Sequence, residues 1–197
     1  MIDKVLTNLI YTLYPKKISF YRENEKYIAT NEYQRLKQII SKFDSEFKEE
    51  FAGEILGYFQ KDYTLKNFQD FTMFNLEDRC LTFNVTFIED GEMYTISLLI
   101  SILVPYYVIK CQKNIIDLYY TKSEIADLQQ VNKETRRLKE LLHEIETIVE
   151  EKMLFSKFPS SMLNIIVPNV SFQETEIGYF KMFNAFFNNL IMIDNEE

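Results

Sequence analysis

The chain has 197 residues, 47% hydrophobic and 15% aromatic, with four glycines and four prolines, a composition that excludes fibrous and disordered classes and supplies a packed core. Acids outnumber bases by 30 to 22, a net charge of −8, which argues against a nucleic-acid ligand and for a basic partner or simple solubility. One domain over residues 1–197 is the simplest reading, burying roughly 70% of the surface that the unfolded chain exposes, with 194–197 as a frayed tail.

Ile2, Val5, Leu6, Leu9, Ile10 and Leu13 recur at the spacing of an amphipathic helix, which Pro15 ends. Residues 16–29 read as a connection with a short extended piece. Thr30 or Asn31 caps the next helix, whose face carries Tyr33, Leu36, Ile40, Phe43 and Phe47. The pattern resumes through Phe51, Ile55 and Tyr58–Phe59, so two helices are expected, at 31–43 and 45–61, or one bent helix. Gly53 and Gly57, four apart, read as a small-residue packing site. Residues 62–78 are ambiguous.

The period then changes to two. Leu81, Phe83, Val85 and Phe87 alternate with polar residues, as do Tyr94, Ile96 and Leu98, and Asp90-Gly91 joins the two runs. This is a hairpin signal, because a type I′ turn needs positive φ at both central residues. The register that follows sets Glu89 opposite Glu92, Phe87 opposite Tyr94, Val85 opposite Ile96, Phe83 opposite Leu98 and Leu81 opposite Ile100. A one-residue slip would put every apolar side chain on the wrong face. YYVIKC and IIDLYYT read as two further strands around a QKN turn.

A long helix is expected over about 123–152, with Thr121 and Glu124 as a capping box. Leu128, Val131, Thr135, Leu138, Leu142, Ile145 and Val149 form a heptad seam along it. Leu141 and Ile148 widen the stripe, which favours packing on a sheet over dimerisation. The stretch 163–172 reads as a last strand, with edge character at Pro168, and 178–193 favours neither helix nor strand. The fold class is therefore α+β: an antiparallel sheet of at least four strands, from about 79–121 plus 163–172, packed against N-terminal helices and one long helix.

The search for chemistry is largely negative. His143 is the single histidine, no nucleophile elbow, phosphate loop or zinc-protease helix occurs, and the carboxylates around Gly91 lack calcium-loop spacing. Cys80 and Cys111 form no CxxC pair and read as reduced thiols. No catalytic set, metal site or cofactor is assigned. The N-terminus lacks the basic and cleavage features of a signal peptide, and the longest apolar run falls short of the ~20 residues of a membrane span. A cytoplasmic protein with no membrane partner is expected.

The acids are more informative. Asp44, Glu46, Glu50 and Glu54 form one ridge, Glu140 and Glu144 begin a second, and Glu89 and Glu92 meet at the hairpin end. These are the candidate partner-binding residues, since acidic surfaces steer basic partners. LYPKKISFY, the following NEYQRLKQII, and the C-terminal IIVPNVSFQETEIGYFKMFNAFF resemble segments of bacterial immunity proteins that neutralise polymorphic or type VI secreted toxins; together they cover about a quarter of the chain. The resemblance implies a cytoplasmic protein that binds one cognate toxin tightly and blocks its active site, and it implies no catalytic residues in this chain. Two alternatives remain: a small-molecule-binding α+β domain, and a homodimeric adaptor using the 128–149 seam. Monomer and homodimer both stay open.

Overall fold

A computed structural model describes residues 2–61, 67–89, 92–114 and 138–189. The fold is α+β, with helices first and a five-stranded, mostly antiparallel sheet after them. Among the described residues no helix is long and apolar enough to cross a membrane.

Helix α1 (Ile2–Leu13) buries Leu6, Ile10 and Leu13, one face at the expected spacing. The connection after it is not extended. It contains α2 (Asn24–Ile28), which forms because Glu23 accepts from the Ser19 amide at 3.2 Å and Tyr27 is drawn inward, its hydroxyl donating to the Ser171 carbonyl at 2.8 Å. Helix α3 (Asn31–Glu46) starts where Thr30 Oγ1 accepts from the Tyr33 amide at 3.4 Å. Helix α4 (Lys48–Gln60) follows a break at Phe47, φ −126°, rather than at Asp44-Ser45. Those two polar residues stay helical, with Ser45 Oγ donating back to the Lys42 carbonyl at 3.3 Å. Gly53 and Gly57 are no packing site: a Cβ built on either meets nothing within 4 Å.

The sheet runs β1 (Gln69–Asp70), β2 (Cys80–Glu89), β3 (Glu92–Ser101), β4 (Tyr106–Asn114) and β5 (Ser156–Lys157), in that spatial order. The β2–β3 register is the expected one in every pair, from Leu81 opposite Ile100 to Glu89 opposite Glu92. The turn residues 90–91 lie outside the described residues. Strand β4 passes straight through Gln112, Lys113 and Asn114, which pair with Thr95, Tyr94 and Met93, so QKN is strand and not turn. The proposed IIDLYYT strand, and the long helix before Leu138 with Leu128, Val131 and Thr135, lie outside the described residues.

Helix α5 (Leu138–Thr147) continues as a π-helix over Ile148–Lys152. Ile145 and Val149 of the heptad seam are fully buried in the chain's own core, while Leu138 and Leu142 are half-buried against it. The sheet's last strand is the short parallel β5 and not 163–172. Pro168 has no amide to donate, and Asn169 (φ 61°) and Gln173 (φ 52°) turn left-handed, so this stretch makes only isolated bridges, such as Ile166 with Lys181 and Val170 with Lys16. Short helices α6 (Ser160–Leu163) and α7 (Met182–Phe186) complete the C-terminal part. Tyr14, Phe20, Tyr27, Tyr33, Phe172 and Phe180 interlock edge-on or tilted, with neighbouring centroids 5.0–6.4 Å apart, joining the two ends of the chain.

Candidate functional site

The acids singled out from sequence fall into two groups. Glu89 and Glu92 sit at the hairpin end, and both are occupied structurally. Glu89 accepts from the Leu138 amide at 3.0 Å, fastening α5 to the sheet. Glu92 meets Lys113 Nζ at 2.9 Å, which holds that ammonium's pKa above its ordinary value. Neither is a loose acid at a solvated tip. Glu140, exposed, and Glu144, half-buried, lie further along α5 from the same end.

Asp44, Glu46, Glu50 and Glu54 are brought together where α3 meets α4. Asp44 lies 4.0 Å from Lys48, and Glu46 lies 3.9 Å from Lys42, both exposed i,i+4 pairs that contribute little to stability. Glu50 and Glu54 stand exposed on α4, and Glu54 accepts from the Tyr58 hydroxyl at 3.3 Å. Helical geometry sets Glu54 on the same side as Phe47, Phe51 and Tyr58, with Glu50 beside them.

Aromatic rings thread this corner. Phe43 lies 6.1 Å from Phe47, 6.0 Å from Phe51 and 5.7 Å from Phe74, and Phe51 reaches Phe155 at 6.1 Å. Phe47 was expected on the buried face of α3, yet it stays 47% exposed. It is the residue at which the helix bends, so its ring leaves the line of Tyr33, Leu36 and Ile40. Next to Phe155, Leu154 is 80% exposed with a left-handed backbone, φ 59°.

A second cluster is buried. Arg79, at the foot of β2, is wholly enclosed. Its Nη1 donates to the Glu77 carbonyl at 2.8 Å and to Gln173 Oε1 at 3.5 Å, and its Nη2 donates to the Asn184 carbonyl at 2.6 Å and to Asn189 Oδ1 at 3.2 Å. Its Cζ sits 5.0 Å over the Phe172 ring, and Nε has no partner among the described residues. All four acceptors are neutral oxygens, so the guanidinium acts as a pin between β2 and the C-terminal part. Around it, burial raises the Tyr14 and Tyr27 hydroxyls well above their ordinary range, and burial together with the Glu77 hydrogen bond does the same for Tyr33. Burial also lifts the Asp78 carboxyl and pushes the Cys80 thiol up to about 12, which keeps that sulfur protonated and unreactive. Among the described residues no group of His, Cys, Asp and Glu could hold a metal ion.

No family model, no curated protein and no solved structure matches the chain.

The two arrangements therefore differ in what they can do. The enclosed Arg79 cluster presents nothing to a ligand, whereas the α3–α4 corner offers the exposed ring of Phe47 among exposed carboxylates. Sequence reasoning found the acids of that corner but missed its exposed ring. Helical periodicity assigned Phe47 and Phe51 to the core, and only Phe51 packs against it. Leu154 carries no sequence signal at all, because a helix-ending left-handed position is ordinarily glycine.

Proposed function

We propose that this chain is an acidic binding protein that captures a basic protein in the cytoplasm, and that the captured protein is a secreted bacterial toxin that it neutralises. The observation that carries the reading is the α3–α4 corner, where Glu50 and Glu54 stand exposed beside the exposed ring of Phe47 and the half-buried rings of Phe43 and Phe51. A surface of this kind speeds encounter through its charge and holds through desolvated aromatic contacts. The resemblance of 13–21, 31–40 and 165–187 to immunity proteins supports the choice of toxin as partner. The test is co-expression with the toxin candidate encoded beside this gene. Capture on tagged protein together with restored growth supports the reading; growth arrest with no capture, across the adjacent candidates, overturns it. Binding that weakens steeply with salt is expected, because the acids lie in solvent.

A further inference from the structure

Helix α5 and its π-helical extension end in a left-handed turn. Met153 closes the helix, Leu154 takes φ 59°, and the Phe155 amide reaches back to the Val149 carbonyl at 3.2 Å. Left-handed backbone crowds the Cβ of an L-residue against the carbonyl that follows, which is why glycine is the usual occupant of such a cap. Here the position holds leucine, and its side chain gains nothing from the fold, being 80% exposed. A residue that is both disfavoured by its backbone and unused in packing points to a role outside the monomer.

Its surroundings say what that role is. Leu154 adjoins Phe155, whose ring meets Phe51, and the chain of rings continues through Phe43 to the exposed Phe47. Exposed carboxylates lie on both helices that lead to this line, Glu50 and Glu54 on α4 and Glu151 one turn before Leu154, whereas Glu150 is engaged by the Tyr107 hydroxyl, from which it accepts at 2.7 Å. Of the nearby cations, Lys48 lies 4.0 Å from Asp44 and Lys157 pairs with Glu146, while Lys152 stands exposed at the end of the π-helix.

We propose that Leu154, Phe155, Phe51 and Phe47 form the centre of the partner-binding surface. Its occupant is a basic protein face that presents apolar side chains among lysines and arginines. Charge complementarity selects this occupant, and Leu154 is its anchor, retained against the backbone's preference. The inference rests on the binding function proposed above and names the surface that performs it.

Two measurements test it. In the first, isotope-labelled protein is titrated with a synthetic helical peptide bearing leucines at heptad spacing flanked by lysines. Amide shifts confined to residues 43–54 and 150–156 support the surface; shifts centred on 92–95 and 138–147, or none at millimolar peptide, overturn it. In the second, Leu154→Gly and Phe47→Ser are compared with Val5→Ser, an exposed apolar control on α1. Leu154→Gly is expected to keep or raise the urea midpoint of the free protein while weakening peptide or partner binding at least tenfold, and Val5→Ser to change neither. Binding by Leu154→Gly within threefold of wild type overturns the proposal. A toxin captured and neutralised equally by Leu154→Gly and Phe47→Ser would leave the function standing and remove this surface. Peptide shifts confined to the corner, with no toxin rescued, would do the reverse.

Discussion

Replacing Arg79 with methionine tests whether a buried guanidinium holds the two halves of the fold together. Methionine reproduces much of the side chain's length and apolar stem but none of its donors. The loss can be worked from the geometry. The two short bonds, 2.8 Å to the Glu77 carbonyl and 2.6 Å to the Asn184 carbonyl, are charge-assisted and contribute about 1.5–3 kcal/mol each. The longer contacts, 3.5 Å to Gln173 and 3.2 Å to Asn189, add little. The stack on Phe172 at 5.0 Å adds about 1–2 kcal/mol. Against this stands the removal of an unpaired buried charge, whose desolvation costs several kcal/mol, and of the unpartnered Nε. The carbonyls, however, remain enclosed once their donor is gone, so the net expectation is a destabilisation of about 3 kcal/mol. Urea unfolding at 25 °C, followed by circular dichroism, reads this directly. Arg79→Lys should lose nearly as much, since one ammonium cannot span acceptors that lie on both sides of a planar fork. A loss below about 1 kcal/mol for methionine would refute the argument, because the carbonyls would then be finding other donors and Arg79 would not be the pin.

Three further outcomes follow from the same geometry. Tyr14→Phe removes a buried hydroxyl that donates to the Ala185 carbonyl at 2.7 Å, and should cost about 1–2 kcal/mol in the same unfolding experiment. The Asp78 carboxyl is raised above 3.8 by burial, so the folded protein binds its proton more tightly than the unfolded chain. That contribution to stability is complete below the unfolded value and is lost as pH rises through the folded one; a plot of stability against pH should therefore fall across that window for wild type and lose that fall for Asp78→Asn. Native thiol titration with a chromogenic disulfide should consume Cys111, which is exposed, and leave Cys80 untouched until denaturant is added.

The hairpin was legible because its information is local. Alternation with period two, an Asp-Gly turn and facing apolar residues all specify one register, and Glu89 opposite Glu92 is its direct consequence. Helices α1 and α3 were legible for the same reason, through spacing and the Thr30 cap. The failures are mostly cases where distant partners decide. Gln112, Lys113 and Asn114 look like a turn by composition, but β3 supplies them with a full set of strand partners. Residues 163–172 are the local exception: they carry the β-branched pattern of a strand, yet Pro168 and the left-handed Asn169 divert the backbone. Arg79 stands at the expected start of the sheet, where nothing local marks it for burial, and contacts with Gln173, Asn184 and Asn189 bring it inside.

The same distinction separates the acids that the fold leaves exposed from the acids it uses. In sequence, Glu89 and Glu50 are equivalent: each is a carboxylate beside another carboxylate, unexplained by the element that carries it. The fold gives Glu89 a backbone donor from an element 49 residues away, so its removal would loosen α5. Glu50 and Glu54 lie on a helix face whose packing is done by Ala52, Ile55 and Phe59, so their removal would leave the core intact. A charge retained where the fold does not need it is the kind available to a partner. Leu154 meets the same criterion in apolar form and more sharply, since the backbone beneath it would be easier with glycine. Both kinds of residue converge on the surface between the α3–α4 bend and the end of the π-helix, joined by the Phe51–Phe155 contact. That convergence is the ground for the proposed surface.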